Sequence, residues 1–84
     1  MDIDALRTFL EVNRTRHFGQ AANNLYVSQS TISARIKMLE DQIGMPLFIR
    51  QRNNITLTDA GQRLVRYAEN IVVNWTRARQ EIGI

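Results

Sequence analysis

Eighty-four residues make one small domain with a modest core. There is no cysteine and a single histidine, His17, which removes disulfide scaffolds, thiolate metal sites and cysteine nucleophiles and leaves too little for a histidine-based metal site or triad. Eleven Lys and Arg against eight Asp and Glu give a net charge of +3, a balance compatible with an anionic partner such as nucleic acid. No apolar run approaches the roughly 20 residues of a membrane helix. The acidic start Met1-Asp2-Ile3-Asp4 is unlike a signal peptide, so a cytoplasmic protein is expected. No cofactor, metal site or catalytic residue is expected.

One proline and four glycines in the whole chain predict a mostly helical domain. The first helix runs from about Asp2 to Arg14, with Ile3, Leu6 and Leu10 at helical spacing, Phe9 beside them, and Asp2 or Asp4 at its positive end. After a break at Thr15 to His17, Phe18, Ala21, Ala22 and Leu25 share one face of a second helix. The paired alanines predict a close approach to another helix. Tyr26-Val27-Ser28 forms a short turn, and Ser28 suits the N-cap of a third helix over Gln29 to Ile43. There Ile32, Ile36, Leu39 and Ile43 make a stripe expected to be buried, with Gly44 as C-cap and Pro46 barring continuation.

Beyond Pro46 the period changes. Leu47-Phe48-Ile49 and Ile55-Thr56-Leu57 read as two strands, and Arg50 to Asn54 as a polar, basic hairpin tip. Thr58 is an N-cap candidate, with Asp59 in the first turn of a helix reaching about Ile82. Leu64, Ala68, Ile71, Trp75, Ala78 and Ile82 follow 4-3-4-3-4 spacing along it, a heptad seam for a partner helix. The expected fold is mainly α. A winged helix-turn-helix over residues 1–58, of three helices and a two-stranded wing, precedes a dimerisation linker helix over residues 59–84.

The charges are sorted along the chain. Val12 to Leu39 holds no acid but has Arg14, Arg16, Arg35 and Lys37, and Gln42 to Thr58 holds no acid but has Arg50 and Arg52. A surface facing phosphates needs this arrangement. On the third helix, the inward stripe leaves Ser30, Ser33, Ala34 and Lys37 outward, with Thr31 and Arg35 on the flank. Short side chains at Gln29 to Ala34 let a helix enter a major groove. Gln29 suits an adenine edge, the Thr31 methyl a thymine methyl, and Arg35 and Lys37 suit guanine edges or phosphates.

Each feature has a plainer alternative. A polar, basic helix face is more often just solvated, and a hairpin with two arginines is usually only surface. His17 reads as a boundary residue and Trp75 as a packing anchor. The ordered combination weighs against chance. A protein-docking module remains a rival reading, separable by its lack of duplex affinity at low salt. Catalysis is disfavoured, because Glu11, Glu40, Asp41 and Asp59 form no nucleophile–base pairing.

The motif set Phe18-x-x-Ala21-Ala22-x-x-Leu25-x-Val27-Ser28-Gln29-Ser30, Ile32-Ser33, Leu39-Glu40, Gly44-x-Pro46-Leu47-Phe48-x-Arg50 and Leu57-Thr58-x-x-Gly61 resembles the N-terminal DNA-binding domain of LysR-type transcriptional regulators. Leu6-x-x-Phe9 fits as well. Arg14-Thr15-Arg16-His17-Phe18-Gly19 and Arg52-Asn53-Asn54-Ile55 are similar to one subgroup of that family. The resemblance implies a winged helix-turn-helix, a homodimer through the last helix, and sequence-specific binding to double-stranded promoter DNA. It also implies an effector-sensing domain beyond this chain, and tetramers in the intact protein. It carries base reading onto Gln29, Ser30, Thr31, Ser33 and Ala34, and wing contacts onto Arg50 and Arg52. Two positions depart from the pattern. Many members carry arginine where this chain has Ala34, with Arg35 the nearest cation. Tyr26 stands where many helix-turn-helix proteins have glycine; a left-handed backbone is unusual for tyrosine, which predicts a different turn.

Overall fold

The structure, a computed structural model, describes residues 2–83. Its elements are α1 (Ile3–Thr15), α2 (Phe18–Leu25), α3 (Gln29–Ile43), β1 (Phe48–Gln51), β2 (Asn54–Leu57) and α4 (Asp59–Ile82). All four of these helices start on a side chain that accepts an otherwise unpaired N–H. Asp2 accepts from Asp4, Ser28 from Thr31 and Thr58 from Gly61, as the sequence predicts. The start of α2 is capped by the ring of His17.

All four helices also end on a left-handed residue: Arg16, Tyr26, Gly44 and Gly83. The expected departure at Tyr26 does not occur. Its backbone is left-handed (φ 58°, ψ 41°). The Tyr26 N–H donates to Asn23 O at 3.3 Å and the Val27 N–H to Ala22 O at 3.0 Å, which satisfies two carbonyls at the helix end. The cost of this conformation, about 1–2 kcal/mol for a non-glycine residue, is set against those two bonds. The Tyr26 side chain is 94% exposed, so it meets no steric opposition.

The core joins Ala5, Leu6, Phe9 and Val12 of α1, Ala21 and Ala22 of α2, Ile32, Ile36 and Leu39 of α3, Leu47, Phe48, and Ala68 of α4. Ala21 and Ala22 are buried where α2 meets α1 and α3. Ile43 departs from the predicted stripe: it is 43% exposed and lines an open groove with Met45 and the start of α4, at the last residue of α3.

β1 and β2 pair antiparallel, with Phe48 opposite Leu57 and Arg50 opposite Ile55. The strands are longer than predicted. Only Arg52 and Asn53 form the turn, so Arg50 lies within a strand. Successive residues of a strand face opposite ways, which puts Arg50 on the same side as the buried Phe48. At the hairpin base, Thr58 Oγ1 donates to Pro46 O at 2.7 Å and the Thr58 N–H to Leu47 O at 3.0 Å. The start of α4 is pressed against this junction. A β-carbon at Gly61 would be driven into the carbonyl oxygen of Leu47. That close approach explains the glycine in the Leu57-Thr58-x-x-Gly61 motif.

Candidate nucleic-acid interface

The first half of α3 is built as a short-chained ridge. The Ser28 hydroxyl accepts from the Thr31 N–H at 3.1 Å and lies 2.9 Å from both the Ser30 and Thr31 hydroxyls. Gln29, Ser30 and Ala34 are exposed, Thr31 and Ser33 half-buried, and Ile32 and Ile36 buried on the opposite side.

The two cations of α3 are less free than their positions suggest. Arg35 is half-buried and its Nη1 donates to Thr8 Oγ1 at 3.3 Å, which draws the guanidinium towards α1 rather than outward. Thr8 is itself fully buried and donates to Asp4 O at 2.7 Å. Lys37 pairs with Asp41 at 2.8 Å, and that bond raises the pKa of its ammonium. The charge of the exposed Lys37 is therefore partly neutralised within its own helix. Glu40 is turned the other way. Its Oε2 accepts from the Leu47 N–H at 2.8 Å, which ties the end of α3 to the hairpin.

The wing supplies the unpaired positive charge. The Arg50 guanidinium lies 4.0 Å from the centroid of the Phe18 ring, a cation–π contact that holds β1 on α2. Phe48 packs on Phe9, ring centroids 5.4 Å apart. Arg52 sits exposed at the hairpin tip.

Sequence reasoning counted Arg16 only among the cations, read His17 as a boundary residue and gave Gly19 no role. Arg16 binds the wing to α1. Its Nη1 donates to Ile55 O at 3.1 Å, while Nε and Nη2 donate to Asn13 O at 2.7 Å and Asn13 Oδ1 at 3.0 Å. His17 Nδ1 accepts from the Gln20 N–H at 2.9 Å. A polar residue just ahead of the Phe18, Ala21, Ala22 and Leu25 face was the available signal for that cap.

The predicted seam on α4 divides. Ala68 is fully buried in its own domain, so it has no surface left for a partner, a correction to the sequence reading. The heptad spacing is the same whether a side chain meets α1 or a second chain. Leu64 and Ile71 are half-buried against the same core. Trp75 is 42% and Ile82 71% exposed, with Ala78 half-buried. An apolar groove of about 840 Å³ runs beside Trp75 and Ala78, lined also by Asp2, Ile3, Ile71 and Asn74. Among the described residues, no cluster of His, Cys, Asp and Glu has metal-ligand character, and no helix is long and apolar enough to cross a membrane.

This arrangement is that of a winged helix-turn-helix regulator, and the chain belongs to the family described as "Bacterial regulatory helix-turn-helix protein, lysR family", which matches residues 3–62. Among curated relatives it is similar to the HTH-type transcriptional regulator HdfR of Escherichia coli and of Escherichia fergusonii, 56% identical to each over 83 residues. The match covers 99% of this chain and 30% of either relative, so the chain spans under a third of their length. Among solved structures it is similar to the CbnR_DBD–DNA complex (30% identity, TM-score 0.91, 96% of this chain and 93% of that one). It is also similar to the BenM_DBD/catB site 1 DNA complex (26% identity, TM-score 0.92, 99% and 93%).

Proposed function

We propose that this chain is a sequence-specific reader of double-stranded promoter DNA. The start of α3 enters the major groove, and the wing lies on the backbone or the adjacent minor groove. The observation that carries this reading is the acid-free start of α3, with Gln29, Ser30 and Ala34 exposed and Thr31 and Ser33 half-buried, together with Arg50 and Arg52 of the wing, which form no ion pair among the described residues. Short polar side chains supply the base contacts, and the arginines supply salt-dependent affinity. The two DNA complexes among its structural relatives support it.

In this reading two copies pair through the second half of α4, where Trp75, Ala78 and Ile82 remain available. That spaces two recognition helices along a pseudo-palindromic site, one or more turns apart. A cytoplasmic setting follows from a promoter partner. Effector sensing and tetramer formation belong to the length that the relatives have beyond this match. The domain acts by binding and not as an enzyme.

Ser33→Glu places a carboxylate between the phosphate walls of the groove. It abolishes retention of a selected duplex in a gel-shift assay while leaving the melting temperature near that of the parent chain. Unchanged retention overturns the docking of α3. Selection of duplexes from a random pool gives the bases read and the half-site spacing together.

A further inference from the structure

A cleft of about 420 Å³ opens between the α1–α2 turn and the wing, and Arg16, His17, Phe18, Arg50 and Arg52 are among the residues that line it. Its lining includes three arginines, one histidine and no carboxylate. Three different parts of the fold supply these groups, and each is held in a way that leaves positive charge or a donor available.

Arg16 spends its N–H groups on the Asn13 and Ile55 carbonyls and the Asn13 amide oxygen. All three acceptors are neutral, so its charge stays uncompensated while the cleft walls are locked together. The Arg50 guanidinium carbon lies 4.0 Å over the centroid of the Phe18 ring. A cation–π contact uses no N–H donor, so the guanidinium can still fork onto an oxyanion. Arg52 is exposed at the tip. His17 accepts the Gln20 N–H at Nδ1. A nitrogen that accepts carries no proton, so the neutral ring holds its proton on Nε2 and presents a donor there.

The His17 wall of the cleft lies close to the start of α3. A β-carbon at Gly19 would stand 3.0 Å from both His17 Cε1 and Gln29 Nε2. Glycine thus lets the His17 ring and the Gln29 amide come up to the same small space. Gln29 is thus a neighbour of His17, which lines one cleft with Phe18, Arg50 and Arg52.

We propose that His17 Nε2–H, together with Arg50 and Arg52, binds a backbone phosphate of duplex DNA just outside the groove that α3 enters. This assignment rests on the DNA-binding reading above. N–H donors with uncompensated positive charge and no carboxylate match an oxyanion. An open cleft whose His17 lies beside Gln29, at the start of α3, matches a phosphodiester in a continuous strand.

The test replaces the ring while keeping the cap. Asparagine and aspartate are both strong N-cap residues. His17→Asn and His17→Asp therefore retain the parent melting temperature to within a few degrees. His17→Asn loses the reach of the Nε2 donor and weakens binding of a mixed-sequence duplex about tenfold in fluorescence anisotropy. His17→Asp adds repulsion and weakens it further. Phosphate-ethylation interference on a duplex selected by the parent chain adds a readout that a merely structural role would not move. One flanking phosphate whose ethylation impairs the parent chain ceases to matter for His17→Asn. Parent-like affinity in both variants, or an unchanged interference pattern, overturns the phosphate site, and the DNA-binding reading stands if Ser33→Glu still abolishes binding. Absence of duplex binding by the parent chain at low salt overturns both.

Discussion

Leu64 and Ala68 in the first half of α4 and Ile71, Trp75, Ala78 and Ile82 in the second continue one heptad, yet the two halves have different surroundings. The first half packs on α1, with Ala68 fully buried and Gly61 against the Leu47 carbonyl. The second half leaves Trp75 and Ile82 substantially exposed, with Ile71, Trp75 and Ala78 lining an apolar groove. Apolar spacing reports that a helix face is covered and not what covers it. The same period serves an intramolecular neighbour and an intermolecular one.

Substitutions in the two halves separate these duties. The largest effect is expected at Ala68. Ala68→Asp buries an unpaired carboxylate and costs at least about 3 kcal/mol, enough to unfold a large fraction of a small domain. Circular dichroism reads this directly, and a folded Ala68→Asp with the parent melting temperature would place Ala68 outside the core. Gly61→Ala comes next. Separating α4 from the Leu47 carbonyl costs about 1–3 kcal/mol, seen as a lower urea midpoint. Trp75→Asp reverses the pattern: helical content and fold persist, while analytical ultracentrifugation shows a monomer and the melting temperature loses its concentration dependence. A mass unchanged from that of the parent chain removes Trp75 from the proposed pairing surface.

The smallest effect lies where α1 faces the first half of α4. Glu11 lines a cleft there with Val65 and Glu69. Its carboxyl accepts from Arg14 at 2.6 and 2.8 Å and from Asn24 at 2.7 Å. The Arg14 hydrogen bond is the main reason its pKa falls below the ordinary 4.5, and the Asn24 bond and the Arg14 charge act the same way against a burial cost. A carboxyl with a depressed folded pKa stabilises the fold above its unfolded value, and that contribution is lost as pH falls through the folded one. Glu11→Gln therefore gives a slightly lower melting temperature at neutral pH and a flatter decline below 4.5. Equal pH profiles for the two chains would exclude Glu11 as a contributor to acid sensitivity.

Much of the interface was readable before the fold. Ser28 as cap, the stripe Ile32, Ile36 and Leu39, and Gly44 before Pro46 orient α3 through local rules of spacing and capping. Four features were not readable, each for a separate reason. Tyr26 adopts a conformation that residue preference disfavours, because two backbone hydrogen bonds reward it and its exposed side chain meets nothing. Arg35 is turned aside by Thr8, a residue 27 positions away. Arg50 moved from loop to strand because pairing with Ile55 extends the ladder. His17 gained a role because folding set its ring beside Gly19 and the Gln29 amide.

Local chemistry was enough to specify the order of elements, where each helix begins, and the short polar start of α3, since these depend on neighbours within a few positions. The assignment of faces came from three-dimensional packing. Which cations stay free, which half of α4 is spent on the core, and how the α1–α2 turn and the wing come to line one basic cleft all depend on contacts between distant residues. Backbone preference and apolar period carry no information about those contacts.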